Sequence, residues 1–580
     1  MDHKKPLLAL ALLCAVGLTQ AGEKEELLKL RNTTTNLIKQ LVKQGILTDK
    51  TANEMIKQAE VDADQQVAEA KAAAPKEAAA KEVVPADEVR VAYVPDFVKD
   101  EIRQQVRSEL REEVVGDVMQ KAKKEQWGMP NALPEWVSRF KMSGDIRLRE
   151  QSSFYASDNQ PNTYFDWPTI NSNGGFGNTP PSSWYVNSTN DRNVGRERFR
   201  LEIDANVTQG LDVGVRLATG NILNPVSTNQ TLGNYGGHYL FTIDRAFLSY
   251  NMVDDNKYNW LTLMGGRTPN PFFTAGSEVV WDEDLSFEGV FGTVRQRLGG
   301  TELAGSIGGK GPAVFATAGV FPLQASIGLS TRDKWMVGGQ AGLDWGFDNQ
   351  DSLKMGVGYF DYRNIQAVPN PNLGVVGYNC STNSAQSTQS APQFMQFGNT
   401  LTEICTDTSN ITGLVGLASN YRILNINALY DLALFAPTHV KFSADYAKNL
   451  GFDTSQFKNI IVNGGSPSGQ GNNTYQGDTN AWQVRGEFGW PKVDSFGKWS
   501  VFTFYKYVER DAVLDAFTDS DFHQEGASNL GSTNVKGWVV GGNYGLLKNL
   551  WLTGRWLSGN VITGPQFGLD IMQLDINTRF

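Results

Sequence analysis

The chain has 580 residues, 40% of them hydrophobic and 20% charged, with a formal net charge of −10. It is too long for one ordinary soluble domain, and beyond residue 20 it has no uncharged apolar run of the roughly 18 residues that a membrane helix needs. The acidic balance and the lack of a basic block argue against nucleic acid as a partner.

The N-terminus reads as a secretory signal over 1–21. Lys4 and Lys5 precede an apolar run over 7–18 and then Thr19, Gln20 and Ala21, with cleavage expected after Ala21. Leu13 precedes Cys14 where a lipid anchor would want a small residue. Residues 22–60 then take a helical period. Leu27, Leu30, Thr34, Leu37 and Leu41 form an a/d seam, Gly45 breaks it, and Thr48 to Thr51 can cap a second helix, so a helical hairpin or a short coiled coil is expected. Residues 61–95, rich in Ala, Lys and Glu with Pro75, Pro85 and Pro95, read as a linker. An amphipathic helix is expected over 96–126, with Ile102, Val106, Leu110, Val114 and Val118 near one face. Such helices suit either self-association or contact with the peptidoglycan wall, and the sequence leaves both open.

From 137 to 580 the period becomes two. In 140–149 polar and apolar residues alternate without a fault, and over 196–207 Arg196, Arg198, Arg200, Glu202 and Asp204 oppose Phe199, Leu201, Ile203 and Val207. Sixteen such segments are expected: 139–154, 196–209, 211–221, 238–253, 257–272, 284–299, 301–323, 333–348, 351–366, 418–436, 438–452, 477–490, 497–517, 534–549, 550–560 and 567–580. Strand ends are rich in Trp and Tyr. Short connections such as 209–210, 253–257 and 348–351 alternate with long ones such as 155–195, 367–417 and 453–476. These features predict an all-β transmembrane barrel of about 16 antiparallel strands, with an even count leaving both chain ends, and so the helical extension, in the periplasm. A soluble β-sandwich would have connections of more uniform length. Cys380 and Cys405 share one Ser/Thr/Asn-rich loop. In an oxidising compartment a bridge between them would be worth about 3 kcal/mol, and two free loop thiols are the alternative.

The last strand alternates Phe580, Thr578, Ile576, Leu574 and Met572 with Arg579, Asn577, Asp575 and Gln573. This strand, ending on an aromatic, resembles the closing strand of bacterial outer-membrane β-barrels, where the barrel-assembly machinery reads that end; Phe580 would be the assembly signal. The whole chain resembles the putative porin family of Gram-negative outer membranes. The resemblance rests on the signal, the helical extension, the alternating barrel, the terminal Phe and the segment Val280-Trp281-Asp282-Glu283-Asp284-Leu285-Ser286-Phe287-Glu288-Gly289. It implies an outer-membrane channel for small solutes, and a homotrimer.

A sixteen-stranded barrel leaves an aqueous lumen. In sixteen-stranded porins generally the third outer loop folds inward, and here it would run over 273–283 with Glu278, Asp282, Glu283 and Asp284 at its end and Glu288 on the same face as Asp284. Across strands 16, 1, 2 and 3 the polar face holds Arg579, Arg147, Arg149, Arg196, Arg198, Arg200 and Arg216. An arginine wall facing an acidic loop would set up a transverse field at a constriction. Alternatively these arginines pair locally with Asp145, Glu202, Asp204 and Asp575. An enzyme is not expected. The four histidines lack metal-ligand spacing. Gly308-Gly309-Lys310-Gly311 departs from a phosphate loop at Ala304 and at the position after Lys310, so neither metal nor cofactor is implied. Two other functions remain as alternatives, a structural barrel tethering the envelope through its N-terminal helices and a surface adhesin acting through 155–195 and 367–417.

Overall fold

A computed structural model of the chain describes residues 139–580 apart from 256, 299–310, 326–331, 348, 371–389, 407–411, 456–459, 462–477 and 524–530. The signal, both helical segments, the linker, Cys380 and most of the glycine run 308–311 lie outside the described residues. Cys405 is disulfide-bonded.

The strands, in chain order, are β1 (Phe140–Tyr155), β2 (Arg192–Thr208), β3 (Leu211–Ala218), β4 (Thr242–Val253), β5 (Asn259–Thr268), β6 (Phe287–Arg297), β7 (Gly311–Gln324), β8 (Lys334–Gly346), β9 (Ser352–Arg363), β10 (Arg422–Leu432), β11 (His439–Asn449), β12 (Asn480–Gly489), β13 (Trp499–Val508), β14 (Val535–Leu547), β15 (Leu550–Val561) and β16 (Gly568–Arg579). Each pairs antiparallel with its neighbours in sequence, and β1 also pairs with β16 from Asp145↔Arg579 to Tyr155↔Leu569, so the ring closes. The continuous sheet has 17 strands, and setting aside the two-residue Gln230–Thr231, which pairs with β2, leaves the sixteen of the barrel. Closure removes every sheet edge, which a bilayer requires because lipid cannot satisfy free backbone groups.

Alternation sorts side chains between lipid and lumen. On the outer face Leu148, Leu248, Val290, Phe442, Val540 and Leu574 are exposed. Trp335 and Trp345 stand near opposite ends of β8, as paired interfacial girdles require. Connections at one end are short. Between β2 and β3 the chain reverses over Gln209 and Gly210. The φ of Gly210 is +78°, and a Cβ there would lie 2.5 Å from Asn251 O, so glycine alone fits. Connections at the other end are long, and several fold back over the lumen. Leu401–Thr406, Thr412–Leu417 and Ile460–Ile461 form a separate three-stranded sheet there.

All sixteen expected strands are present, with shifted ends. Among the described residues the largest difference is at 497–517: β13 stops at Val508, and the following residues turn inward, burying Ala512, Val513 and Leu514. Three consecutive buried apolar residues cannot share one face of a strand, so the pattern there belongs to a loop packed on both sides.

Candidate pore constriction

The connection between β5 and β6, residues 269–286, folds into the lumen. Its apolar side chains hold it there. Phe272, Val279, Val280, Trp281 and Leu285 are buried against the lumenal Phe287 and Phe291 of β6, Phe321 of β7, Met336 of β8 and Phe360 of β9. The Trp281 ring lies 5.0 Å from both Phe287 and Phe360, and Phe272 lies 4.8 Å from Phe360 in an edge-on arrangement. Gln340 clamps the start of the loop, accepting from Phe273 N–H at 2.7 Å and donating to Phe273 O at 2.8 Å.

The acidic end of this loop reaches the opposite wall. Register places Arg147 directly across from Arg198 and Arg149 across from Arg196, on β1 and β2. Like charges so placed repel, and acids from other elements offset them. Asp284 lies 2.9 Å from Arg200 and 3.5 Å from Arg198, and Glu283 3.9 Å from Arg198. Asp145 lies 3.1 Å from Arg198 and 2.8 Å from Arg200. Arg149 is held by Asp575 of β16, Arg216 pairs with Asp244 of β4, and Arg147 donates to Asn229 Oδ1 at 2.5 Å. Burial works against ionisation of Asp284, but Arg198, Arg200 and Arg147 outweigh it and hold its pKa well below the usual carboxylate range.

Glu278 and Asp282 have the opposite environment. Burial, with Asp519 and Glu283 nearby, pushes Glu278 well above its ordinary value; burial, with Glu278, Asp284 and Asp519, does the same to Asp282. Carboxylate oxygens of Glu278, Asp282 and Asp519 all lie within 4.8 Å of one another. Their partners are already in place: Asp282 accepts from the amides of Asp284 and Ser520, each at 2.8 Å, and Asp519 pairs with Lys506 of β13. Between loop and walls lies a cavity of about 720 Å³, lined among others by Arg147, Arg198, Glu283, Lys441, Arg485 and Arg555.

The structure thus brings Arg147, Arg198 and Arg200 together with Glu283 and Asp284, and places Arg149, Arg196 and Arg216 buried on the same wall. The expected local partners Asp145 and Asp575 take part alongside the loop acids. Two residues lie elsewhere. Glu288 faces outward, on the side of β6 that exposes Val290 and Val294, and bonds Arg267 at 2.7 Å. The strand begins at Phe287, so parity counted from Asp284 does not carry across the junction. Near a strand end such a charge costs only about 0–1 kcal/mol. Arg579 is exposed at the end of β16, opposite Asp145, with its guanidinium 5.6 Å from the ring centre of Trp551, a residue at the edge of the same cavity. Phe580 exchanges backbone hydrogen bonds with Gly144, both 3.0 Å, and stacks on Phe199.

Several lumenal groups were not among the expected pore-lining residues. Lys441, Arg485, Lys506 and Arg555 sit on polar faces of their strands, where alternation alone would find them. Asp519 and Asp521 arrive on the β13–β14 connection, residues 509–534, whose inward course has no local signal.

Among solved structures the chain is similar to the high-pH form of OprB from Pseudomonas putida, at 10% identity over 77% of this chain and 96% of that one, with a TM-score of 0.41. It is also similar to the outer membrane channel DcaP of Acinetobacter baumannii, at 11% identity, 76% and 97% coverage and a TM-score of 0.36. A third likeness is to a triple mutant of Rhodopseudomonas blastica porin, at 10% identity, 76% and 100% coverage and a TM-score of 0.33. At this identity these are likenesses alone. No curated protein matches the sequence. Residues 31–580 match the family described as putative porins, and the chain belongs to that family.

Proposed function

We propose that the pore narrows where the acidic end of 269–286 meets the arginine wall of β1 and β2, and that small hydrophilic solutes and ions pass through the charged gap. Family membership makes the protein an outer-membrane channel for passive diffusion. The observation that carries the finer reading is Asp284, a loop residue 2.9 Å from Arg200 across the lumen. Opposed rows of fixed charge order water and steer ions at such a gap. In the same reading the basic wall comprises Arg147, Arg149, Arg196, Arg198, Arg200 and Arg216, Phe580 serves assembly, and Cys380 is the bridge partner of Cys405. The helical extension stays in the periplasm, available for trimerisation or peptidoglycan contact.

The test is single-channel recording of the purified protein in a planar bilayer under a salt gradient. Stepwise conductance is expected, and Glu278→Gln with Glu283→Gln should shift the reversal potential toward anions. An unchanged reversal potential would show that 269–286 is not the constriction.

A further inference from the structure

The segment 509–523 does more than cover the constriction loop. The two run side by side. Asp282 N–H donates to Phe517 O at 2.8 Å, Thr518 Oγ1 to Val279 O at 2.8 Å, Asp519 N–H to Glu278 O at 3.2 Å and Ser520 N–H to Asp282 Oδ2 at 2.8 Å. The segment is itself anchored to another outer connection, where Asp511 accepts from Thr400 N–H at 2.8 Å and from Tyr421 Oη at 2.9 Å. Past the seam it carries Asp521 to the arginine wall. There the carboxylate lies 2.7 Å from Arg149 and 3.4 Å from Arg555. Burial works against its charge, but Arg149, Arg555 and Arg147 outweigh that and keep it ionised.

Two facts separate a structural from an electrostatic role for Asp521. Arg149 does not depend on it, because Asp575 receives Arg149 Nε at 2.7 Å and Nη2 at 3.0 Å in a bidentate fork. The Asp521 side chain also keeps 18% of its exposure and lines the same cavity as Arg147, Arg198 and Glu283. A second carboxylate at an already paired guanidinium adds a net negative charge, and that charge offsets the field of the neighbouring cations Arg147 and Arg555 in the lumen.

We propose that 509–523 is a second constriction element of this porin and that Asp521 is a specificity-determining residue, offsetting the arginine wall so that cations are not expelled from the narrow part of the pore. The proposal rests on the arginine-lined lumen being the conducting path.

The experiment compares Asp521→Asn with Asp521→Glu, Arg555→Gln and Glu283→Gln in planar bilayers under a KCl gradient. Asn can still accept from Arg149 while removing one charge, and the anion-to-cation permeability ratio should rise roughly threefold or more. Asp521→Glu, which keeps the charge, should stay near the parent ratio, and Arg555→Gln should move it toward cations. If Asp521→Asn leaves the ratio unchanged while Glu283→Gln shifts it, the arginine-lined path stands and the proposal falls. If neither shifts it, ions travel elsewhere and both readings fall. A shift in Asp521→Asn without one in Glu283→Gln supports the second element and removes the first loop from the selectivity mechanism. A ratio altered equally by Asp521→Asn and Asp521→Glu would trace the effect to packing and overturn the charge role.

Discussion

The two sides of the lumen that grip segment 269–286 are built on opposite principles. On β6 to β9 the inward positions carry Phe287, Phe291, Phe321, Met336 and Phe360, which form a dry seat for Phe272 and Trp281. On β1 and β2 the inward positions carry arginines placed opposite one another, a repulsive arrangement completed by acids from other parts of the chain. The seat fixes the loop by area. Fully burying one large apolar side chain is worth about 1.5–3 kcal/mol, without direction and without dependence on pH or salt. The arginine wall fixes it by charge, a contribution that depends on protonation, geometry and ions. A loop spanning both can be stiff at one end and responsive at the other.

Breaking the seat should have the largest effect. Trp281→Ala removes the ring shared by Phe272, Phe287 and Phe360 and should cost about 3–5 kcal/mol of local packing. The expected result is a loop freed from its wall, seen as higher single-channel conductance and faster proteolysis within 269–286 while the barrel stays folded. Conductance at the parent level would mean that the charged end alone positions the loop. Next comes the other grip: Asp284→Asn leaves Arg198 and Arg200 with Asp145 and the more distant Glu283 and should cost about 2–3 kcal/mol, less than full loss of a buried pair because those partners remain. It should shift reversal potentials toward anions with a smaller rise in conductance than Trp281→Ala.

pH separates the two kinds of carboxyl on one loop. Glu278 and Asp282 have pKa values raised in the folded state, so the contact they make with 509–534 is favoured at low pH and weakens as pH rises through their folded values. Asp284 and Asp521 have depressed values, so their hold on the arginines is complete above the unfolded carboxyl value and is lost as pH falls toward the folded one. The loop should therefore be held best between the unfolded carboxyl value and the raised folded values of Glu278 and Asp282, with open-channel noise rising as pH climbs through those folded values and again in strong acid. Glu278→Gln should flatten the high-pH limb; recordings across pH that show noise falling steadily with rising pH would contradict this. The smallest effect is expected for Glu288→Gln, within about 0.5 kcal/mol and with no change in selectivity, because that residue faces outward beside Arg267. A selectivity change there would place it back in the pore.

Much of this porin could be read in its sequence, and the parts that could not share a cause. Alternation follows from the geometry of an extended chain, in which neighbouring side chains point to opposite faces. It therefore located the strands, closed β16 on β1 through the run ending at Phe580, and put Arg147, Arg149, Arg196, Arg198, Arg200 and Arg216 on the lumenal side before any contact was known. Where the regular strand stops, parity stops with it. Asp284 and Glu288 are four residues apart, yet one meets Arg200 and the other meets Arg267, because the chain enters β6 between them at Phe287. The same limit hid 509–534: an apolar stretch at Ala512, Val513 and Leu514 looks like strand until the fold shows it buried against other loops. Which faces lie inward was determined by covalent geometry repeated along the chain. Which loop acids reach the arginines was decided only in three dimensions, because a loop's course depends on the surfaces it finds, here an aromatic seat on one wall and unneutralised cations on the other.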